Sequence, residues 1–215
     1  MNPPLDLLPA LWPGVGVTLQ LTVLSAILAF LLAFVVGLGR LSKYRLLRFL
    51  TTIYVEFFRG TSLLVQLFWA FFVLPHFGLK LSAMQTGILV LGLNYGAYAS
   101  EVVRSSILAV PRSQTEAGIA LNMTSGQIMR LIILPQAFLS MLPSFGNLLI
   151  ELLKGTALVS FITLSDLMFK GAQLRVATLR TIEVFSLVLI IYFFIAYPLT
   201  LAVRSLENRL ARGRV

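Results

Sequence analysis

Few side chains in this sequence can ionise, and their spacing defines the chemistry open to them. Glu56 and Arg59, Glu101 and Arg104, and Glu151 and Lys154 stand three residues apart, and Asp166 and Lys170 stand four apart. On a helix these are neighbouring positions, so each pair can neutralise itself. Glu151, Lys154 and Asp166 also flank an 11-residue uncharged stretch, 155–165, that holds Gly155, Thr156, Ser160, Thr163 and Ser165. Short, Gly-interrupted segments of this kind form midplane sites where helix ends and unwound backbone meet polar ligand groups. A zwitterionic solute offers one carboxylate and one ammonium, which Lys154 with Glu151 or Asp166 would complement; a self-paired structural cluster is the other reading. Asn94 and Asn147 are uncharged but costly in lipid, so they face a cavity or form interhelical hydrogen bonds. There is no Cys and one His, His76. That points away from thiolate chemistry, disulfides, a His-based metal centre and a Ser/His/Asp triad. No catalytic or metal-ligating constellation appears.

The elements that must hold these residues are membrane helices. Of 215 residues 58% are hydrophobic and 12% charged, and mean hydropathy is +0.93, which excludes an ordinary soluble domain. The net charge of +9 in so apolar a chain suits anionic lipid headgroups and not nucleic acid. A crossing needs about 20 largely uncharged residues. Five charge-free gaps qualify: residues 7–39, 60–79, 81–100, 131–150 and 184–203. The expectation is an all-α integral membrane protein with five transmembrane helices at 15–39, 60–79, 81–100, 131–150 and 184–203. The uncharged stretches 117–129 and 155–165 are too short or polar to cross, and the second fits a partial or re-entrant helix.

Orientation follows from Lys and Arg. With the amino terminus outside and the carboxyl terminus inside, the inner face receives 12 of the 17 cations, including Arg40, Lys43, Arg45, Arg48, Arg59, Arg104, Arg112, Arg130, Arg204, Arg209, Arg212 and Arg214. The outer face receives Lys80, Lys154, Lys170, Arg175 and Arg180. Residues 1–14 hold Pro3, Pro4, Pro9, Pro13, Asp6 and Trp12 but no Lys or Arg, and read as an interfacial lead-in anchored by Trp12. No repeat or linker divides the chain, so 1–215 is a single membrane domain.

The inner loop 110–136 reads VPRSQTEAGIALNMTSGQIMRLIILPQ and contains two helix starts. Ser113-x-x-Glu116 and Thr124-x-x-Gln127 both have the form of a capping box, in which each side chain satisfies a free backbone N–H of a first turn. Asn122 suits the left-handed residue that ends a helix. The chemistry predicts a short helix over 114–121, a sharp turn, and a second helix entering the fourth span. Ala117, Gly118 and Ala120 are small enough for another protein surface to approach the backbone closely. An amphipathic loop helix lying on the headgroups is the other reading.

Glu116-Ala117-Gly118, then Asn122, then Ile132-x-Leu134-Pro135 resembles the EAA loop of ABC importer permeases, whose form is E-A-A-x-x-x-G followed nine residues later by I-x-L-P. Tyr54 through Thr61 (YVEFFRGT), Leu63-Leu64-Val65-Gln66, Ile132 through Ala137 (IILPQA) and Leu152 through Thr156 (LLKGT) are similar to the polar amino-acid uptake branch of that family. The likeness runs from about residue 18 to 204. Gly118 stands for the family's second Ala, Asn122 for its Gly, and Ser62 for a Pro usual in the branch. Gly118 loosens the short helix by up to about 1 kcal/mol. Ser62 relaxes, without removing, a break in the second span.

The resemblance implies a permease subunit of a bacterial cytoplasmic (inner) membrane importer. It implies two separate ATP-binding subunits, a second permease subunit of the same or related kind, and an external solute-binding protein delivering polar amino acids. Residues 113–127 form the cytoplasmic coupling loop, with Ser113, Glu116, Ala117, Gly118, Ala120, Leu121 and Asn122 meeting the ATPase. Glu151, Lys154, Thr156, Ser160, Asp166, Asn147 and Asn94 belong beside the solute path. The chain binds no cofactor of its own; ATP and Mg belong to the partner, in keeping with the lack of a G-x-x-x-x-G-K-[ST] loop here. The rivals are a secondary transporter or channel, disfavoured because five spans give no internal two-fold, and an intramembrane enzyme.

Overall fold

The computed structural model describes residues 5–212, with side chains from 5 to 206. Pro3 and Pro4, and the side chains of Arg209, Arg212 and Arg214, lie outside the described residues. The described chain is helical and contains no strand. The long helices are α1 (Leu8–Arg40), α4 (Ala83–Leu108), α7 (Leu134–Gly155) and α9 (Thr181–Arg212); the shorter ones are α2 (Arg45–Gly60), α3 (Leu63–Phe68), α5 (Arg112–Ala120), α6 (Ser125–Gln127) and α8 (Leu167–Thr178).

Three helical stretches are long and apolar enough to cross a membrane: Leu5–Arg40, Ser125–Ile162 and Thr181–Leu206. A bent pair, Arg45–Gly60 and Leu63–Phe77, makes four if it counts as one span. The expected third span, 81–100, falls on α4 from Ala83 onward, and the 26 residues of α4 reach about 39 Å. Its sequence is less apolar because its neighbours enclose it. Val90, Leu91, Asn94, Ala97 and Ser100 are all buried, so this helix meets protein more than lipid.

α1 and α4 form the central pair and run parallel. Leu28 lies against Gly92, Leu32 against Gly96, and Val103 with the Ser100 carbonyl against Gly37. Arg40 at the end of α1 is paired with Glu101, which also accepts from Arg104 at 2.5 Å. The anticipated Glu101–Arg104 pair is thus a triad across two helices. Burial at the opposite end of α1 differs from a surface lead-in. Pro9 sits in its first turn, Pro13 lies within it, and Leu7, Leu11 and Val15 pack against Leu167, Val184 and Val188. Residues 8–14 are therefore part of the first long helix, although Trp12 does project outward with 70% of its surface exposed.

The expected second span, 60–79, starts at a break. α2 ends at Gly60, and the chain turns through 105° before α3. Amide side chains satisfy the carbonyls freed there: Asn94 Nδ2 donates to the Phe58 carbonyl at 2.9 Å, and Gln66 Nε2 donates to the same carbonyl at 3.0 Å and to Thr61 Oγ1 at 2.7 Å. Asn94 also donates to Gln66 Oε1 at 3.0 Å. Asn94 is therefore an interhelical hydrogen-bonding residue, buried where a broken helix would otherwise leave peptide groups unsatisfied.

Candidate functional site

Two polar regions stand apart in the bundle. One is the loop between α4 and α7. α5 spans Arg112–Ala120, with Pro111 as its N-cap and no side-chain capping bond. The expected Ser113/Glu116 box is not made. A helix starting one residue after Pro111 puts Ser113 inside the first turn, where its hydroxyl is not positioned to cap. The second box forms as read: Gln127 N–H donates to Thr124 Oγ1 at 3.4 Å, and Thr124 N–H donates to Gln127 Oε1 at 2.8 Å.

Asn122 closes α5 in the left-handed conformation, at φ 56°. Met123 N–H donates to the Gly118 carbonyl at 3.0 Å and Asn122 N–H to the Ile119 carbonyl at 2.9 Å. This pair of bonds is a Schellman motif, which turns the chain sharply into α6. Gly118 is the buried residue of α5. A Cβ there would lie 2.7 Å from Ile128 Cγ1 and 3.3 Å from Ile132 Cδ1. Its small size therefore serves packing of α5 on its own chain. Ser113, Glu116, Ala117, Ala120, Leu121 and Asn122 are exposed, Leu121 at 74%. A rigid, mostly uncharged face with an exposed Leu and two small residues has the chemistry of a docking surface.

The other region is the end of α7 and the segment that follows it. Glu151 and Lys154 are exposed and, among the described residues, form no ion pair with each other. Lys154 lines a cleft of about 680 Å³ between α7 and α9, with Ile150, Tyr192, Phe193, Tyr197 and, from further along α9, Arg204. This cleft is not readable from the sequence, because 50 residues separate its two cations. Thr156 and Ser160 bond to carbonyls of their own turn, Leu153 and Ala157, each at 2.7 Å. Residues Thr156–Ile162 form a 3-10 helix ended by Thr163 in the left-handed conformation, the partial helix expected for this segment. Asn147 lies on an exposed face of α7.

Asp166 does not pair with Lys170. Fully buried, it caps α8 by accepting from Phe169 N–H at 2.9 Å and Met168 N–H at 3.3 Å. The next N–H, of Leu167, donates to Thr18 Oγ1 on α1 at 3.1 Å. One turn earlier Gly14 lets α1 pass directly beneath: a Cβ there would lie 2.8 Å from the Asp166 carbonyl oxygen. The Tyr192 hydroxyl is buried beside Asp166, Thr18 and Thr156 without a hydrogen bond of standard geometry. Burial pushes the Asp166 carboxyl up to about 6, against the opposing pull of its backbone bonds. The structure thus separates the candidate solute-path residues: Glu151, Lys154 and Asn147 point outward, while Asp166, Thr156 and Asn94 are used inside the protein.

Residues 26–212 match the family of binding-protein-dependent transport system inner membrane components. The chain is 46% identical over 215 residues to a probable amino-acid ABC transporter permease of Sinorhizobium fredii, covering 97% of this chain and 90% of that protein. It is 40% identical over 205 residues to the L-cystine transport system permease TcyB of Bacillus subtilis, covering 95% and 88%. Among solved structures, it superposes on a chain of an amino acid ABC transporter crystallised with histidines at a TM-score of 0.90, with 33% identity over 95% of this chain and 96% of that one. The inward-facing MetNI methionine transporter shares the fold, with a TM-score of 0.81 and 23% identity over 98% and 99% of the two chains. This chain belongs to the family of binding-protein-dependent transport system inner membrane components, the family that its loop motif and its helical architecture both indicate.

Proposed function

We propose that the chain is the membrane subunit of an ATP-driven importer of polar amino acids, moved by separate ATPase subunits through α5. It crosses the membrane five times, through α1, the bent α2–α3 pair, α4, α7 and α9, with the amino terminus outside and the carboxyl terminus inside. It works as a pair with a second permease subunit, two ATP-binding subunits, and an external solute-binding protein. ATP and Mg are bound by the ATPases.

The observation that carries this reading is the inner loop. α5 is held rigidly by Gly118 and the Asn122 turn, yet almost every other side chain on it is left uncovered. In a chain without nucleotide-binding machinery, a rigid uncovered helix is what an external motor requires. Amino-acid substrates are supported by the relatives' named solutes and by the exposed Lys154 and Glu151, whose charges complement a zwitterion. ATP-dependent uptake of a labelled amino acid into proteoliposomes holding the chain, its ATPase and its binding protein tests the proposal. Uptake that needs all three supports it. Uptake by the chain alone would replace it with the channel or secondary-transporter reading.

A further inference from the structure

α2 presents three distinct faces, each with a different environment. Leu47, Thr51, Tyr54, Val55 and Phe58 form the face packed on protein: Thr51 lies against Gly39, Val55 is fully buried with Val36 and Ala97, and the Tyr54 hydroxyl donates to the Leu93 carbonyl at 2.6 Å. Leu46, Phe49, Leu50, Ile53 and Phe57 recur every three to four residues and are 50–70% exposed, a stripe suited to lipid tails. Arg45, Arg48, Thr52, Glu56 and Arg59 form the third stripe, of which Thr52 alone is half-buried.

The third stripe does not lie on the membrane surface. Successive contacts of α2, from Thr51 at Gly39 to the Phe58 carbonyl at Asn94, step backwards along α1 and α4, so α2 climbs antiparallel to them from their inner ends. The Arg59 guanidinium lies 5.3 Å from the centre of the Tyr98 ring, and Tyr98 is ten residues, or about 15 Å, from the inner end of α4. Among the described residues Glu56 and Arg59 form no ion pair, so the self-neutralised reading of that pair does not hold. A polar stripe that deep, beside an apolar stripe of equal length, has to face water.

We infer that the Arg45–Arg48–Thr52–Glu56–Arg59 stripe lines a water-filled vestibule open to the inner face, through which a carboxylate-bearing solute leaves. Three guanidinium groups against one carboxylate give the wall a positive potential that favours such a solute. The inner location rests on the orientation proposed above; the water-lined stripe does not.

The chain has no cysteine, so single substitutions give a clean readout. Thr52→Cys and Glu56→Cys report on the polar stripe, and Ile53→Cys and Phe57→Cys report on the apolar stripe at matched depths. The full chain is placed in sealed vesicles of either sidedness and reacted with a membrane-impermeant, charged methanethiosulfonate. Labelling of the first two at least tenfold faster than the second two, from the inner face, supports the inference. Equal and fast labelling of all four means that α2 lies on the surface, and slow labelling of all four means that another chain covers the stripe; either overturns it. The same alternation from the outer face alone supports the water-lined stripe and overturns the orientation. Variants are scored only if they elute as the unmodified chain does in detergent, and the two positions per stripe guard against loss of one.

Discussion

The segment around Asp166 and the loop around α5 are both polar, yet they dispose of their polar groups in different ways. Around Asp166 the carboxylate caps its own helix, the Leu167 N–H donates to Thr18 on α1 and Thr156 donates to the Leu153 carbonyl, so these groups are engaged inside the bundle. Around α5 the backbone is satisfied locally by a capping box and a Schellman turn, and the side chains are left facing out. The difference teaches how to tell a polar cluster that holds a fold from one that awaits a partner. Asp166, a candidate solute ligand by type and spacing, is buried and accepts two backbone N–H bonds. The side chains of Glu116 and Leu121 are exposed, and there the argument for a partner is strongest.

The comparison breaks most readily at α5. Ala117→Arg, on the exposed face, is expected to reduce ATP-dependent uptake more than tenfold while leaving the chain's own melting temperature in detergent unchanged. A matched change at Asp166 reads differently. Asp166→Ala removes a helix cap and is expected to cost about 1 kcal/mol of stability, seen as a lower melting temperature. It should not change binding of the ATPase.

The buried Asp166 cap also carries a pH signature. Burial raises the Asp166 carboxyl to about 6, above the 3.8 of an exposed Asp. A raised carboxyl holds its proton in the folded chain over a range where the unfolded chain has lost it. Its stabilising contribution is therefore fullest below about pH 4 and is lost as pH rises to about 6. Asp166→Asn keeps a cap acceptor and removes the titration. The melting temperature of the parent chain, relative to this variant, is expected to rise on acidification from pH 7 to 5, by the equivalent of roughly 1 kcal/mol.

Smaller effects concern the turn that ends α5. Gly118→Leu forces Ile128 aside and is expected to destabilise by about 1–3 kcal/mol, read by thermal unfolding. Asn122→Ala places a Cβ residue at a positive φ without the side chain that tolerates it, at a cost of about 1 kcal/mol. Asn122→Gly is expected to be neutral or better, which distinguishes a backbone requirement from a side-chain contact.

These outcomes follow the line between what was legible in the sequence and what was not. The Thr124/Gln127 box and the left-handed Asn122 were readable because their partners lie within six residues. The same locality made Ser113/Glu116 look equally good. It failed because Pro111 starts the helix earlier, and motif spacing alone does not weigh one start against another. The apolar runs placed α1, α7 and α9 well, since lipid contact demands long uncharged stretches. α4, enclosed by protein, relaxed that demand, and the 105° turn after Gly60 needed the Asn94–Gln66 amides from two other turns of chain to become stable. The Leu167–Thr18 bond joins residues 149 apart, and the Lys154–Arg204 cleft joins two helices. No local pattern could register either.

The most direct test of the account is capture of the ATPase subunit by the purified permease, comparing the parent chain, Ala117→Arg on α5, and Ala177→Arg on the exposed side of α8. Retention by the parent and by Ala177→Arg, with loss in Ala117→Arg, is the predicted result. Equal retention by all three would contradict it, because the motor would then grip the bundle somewhere other than the uncovered helix α5.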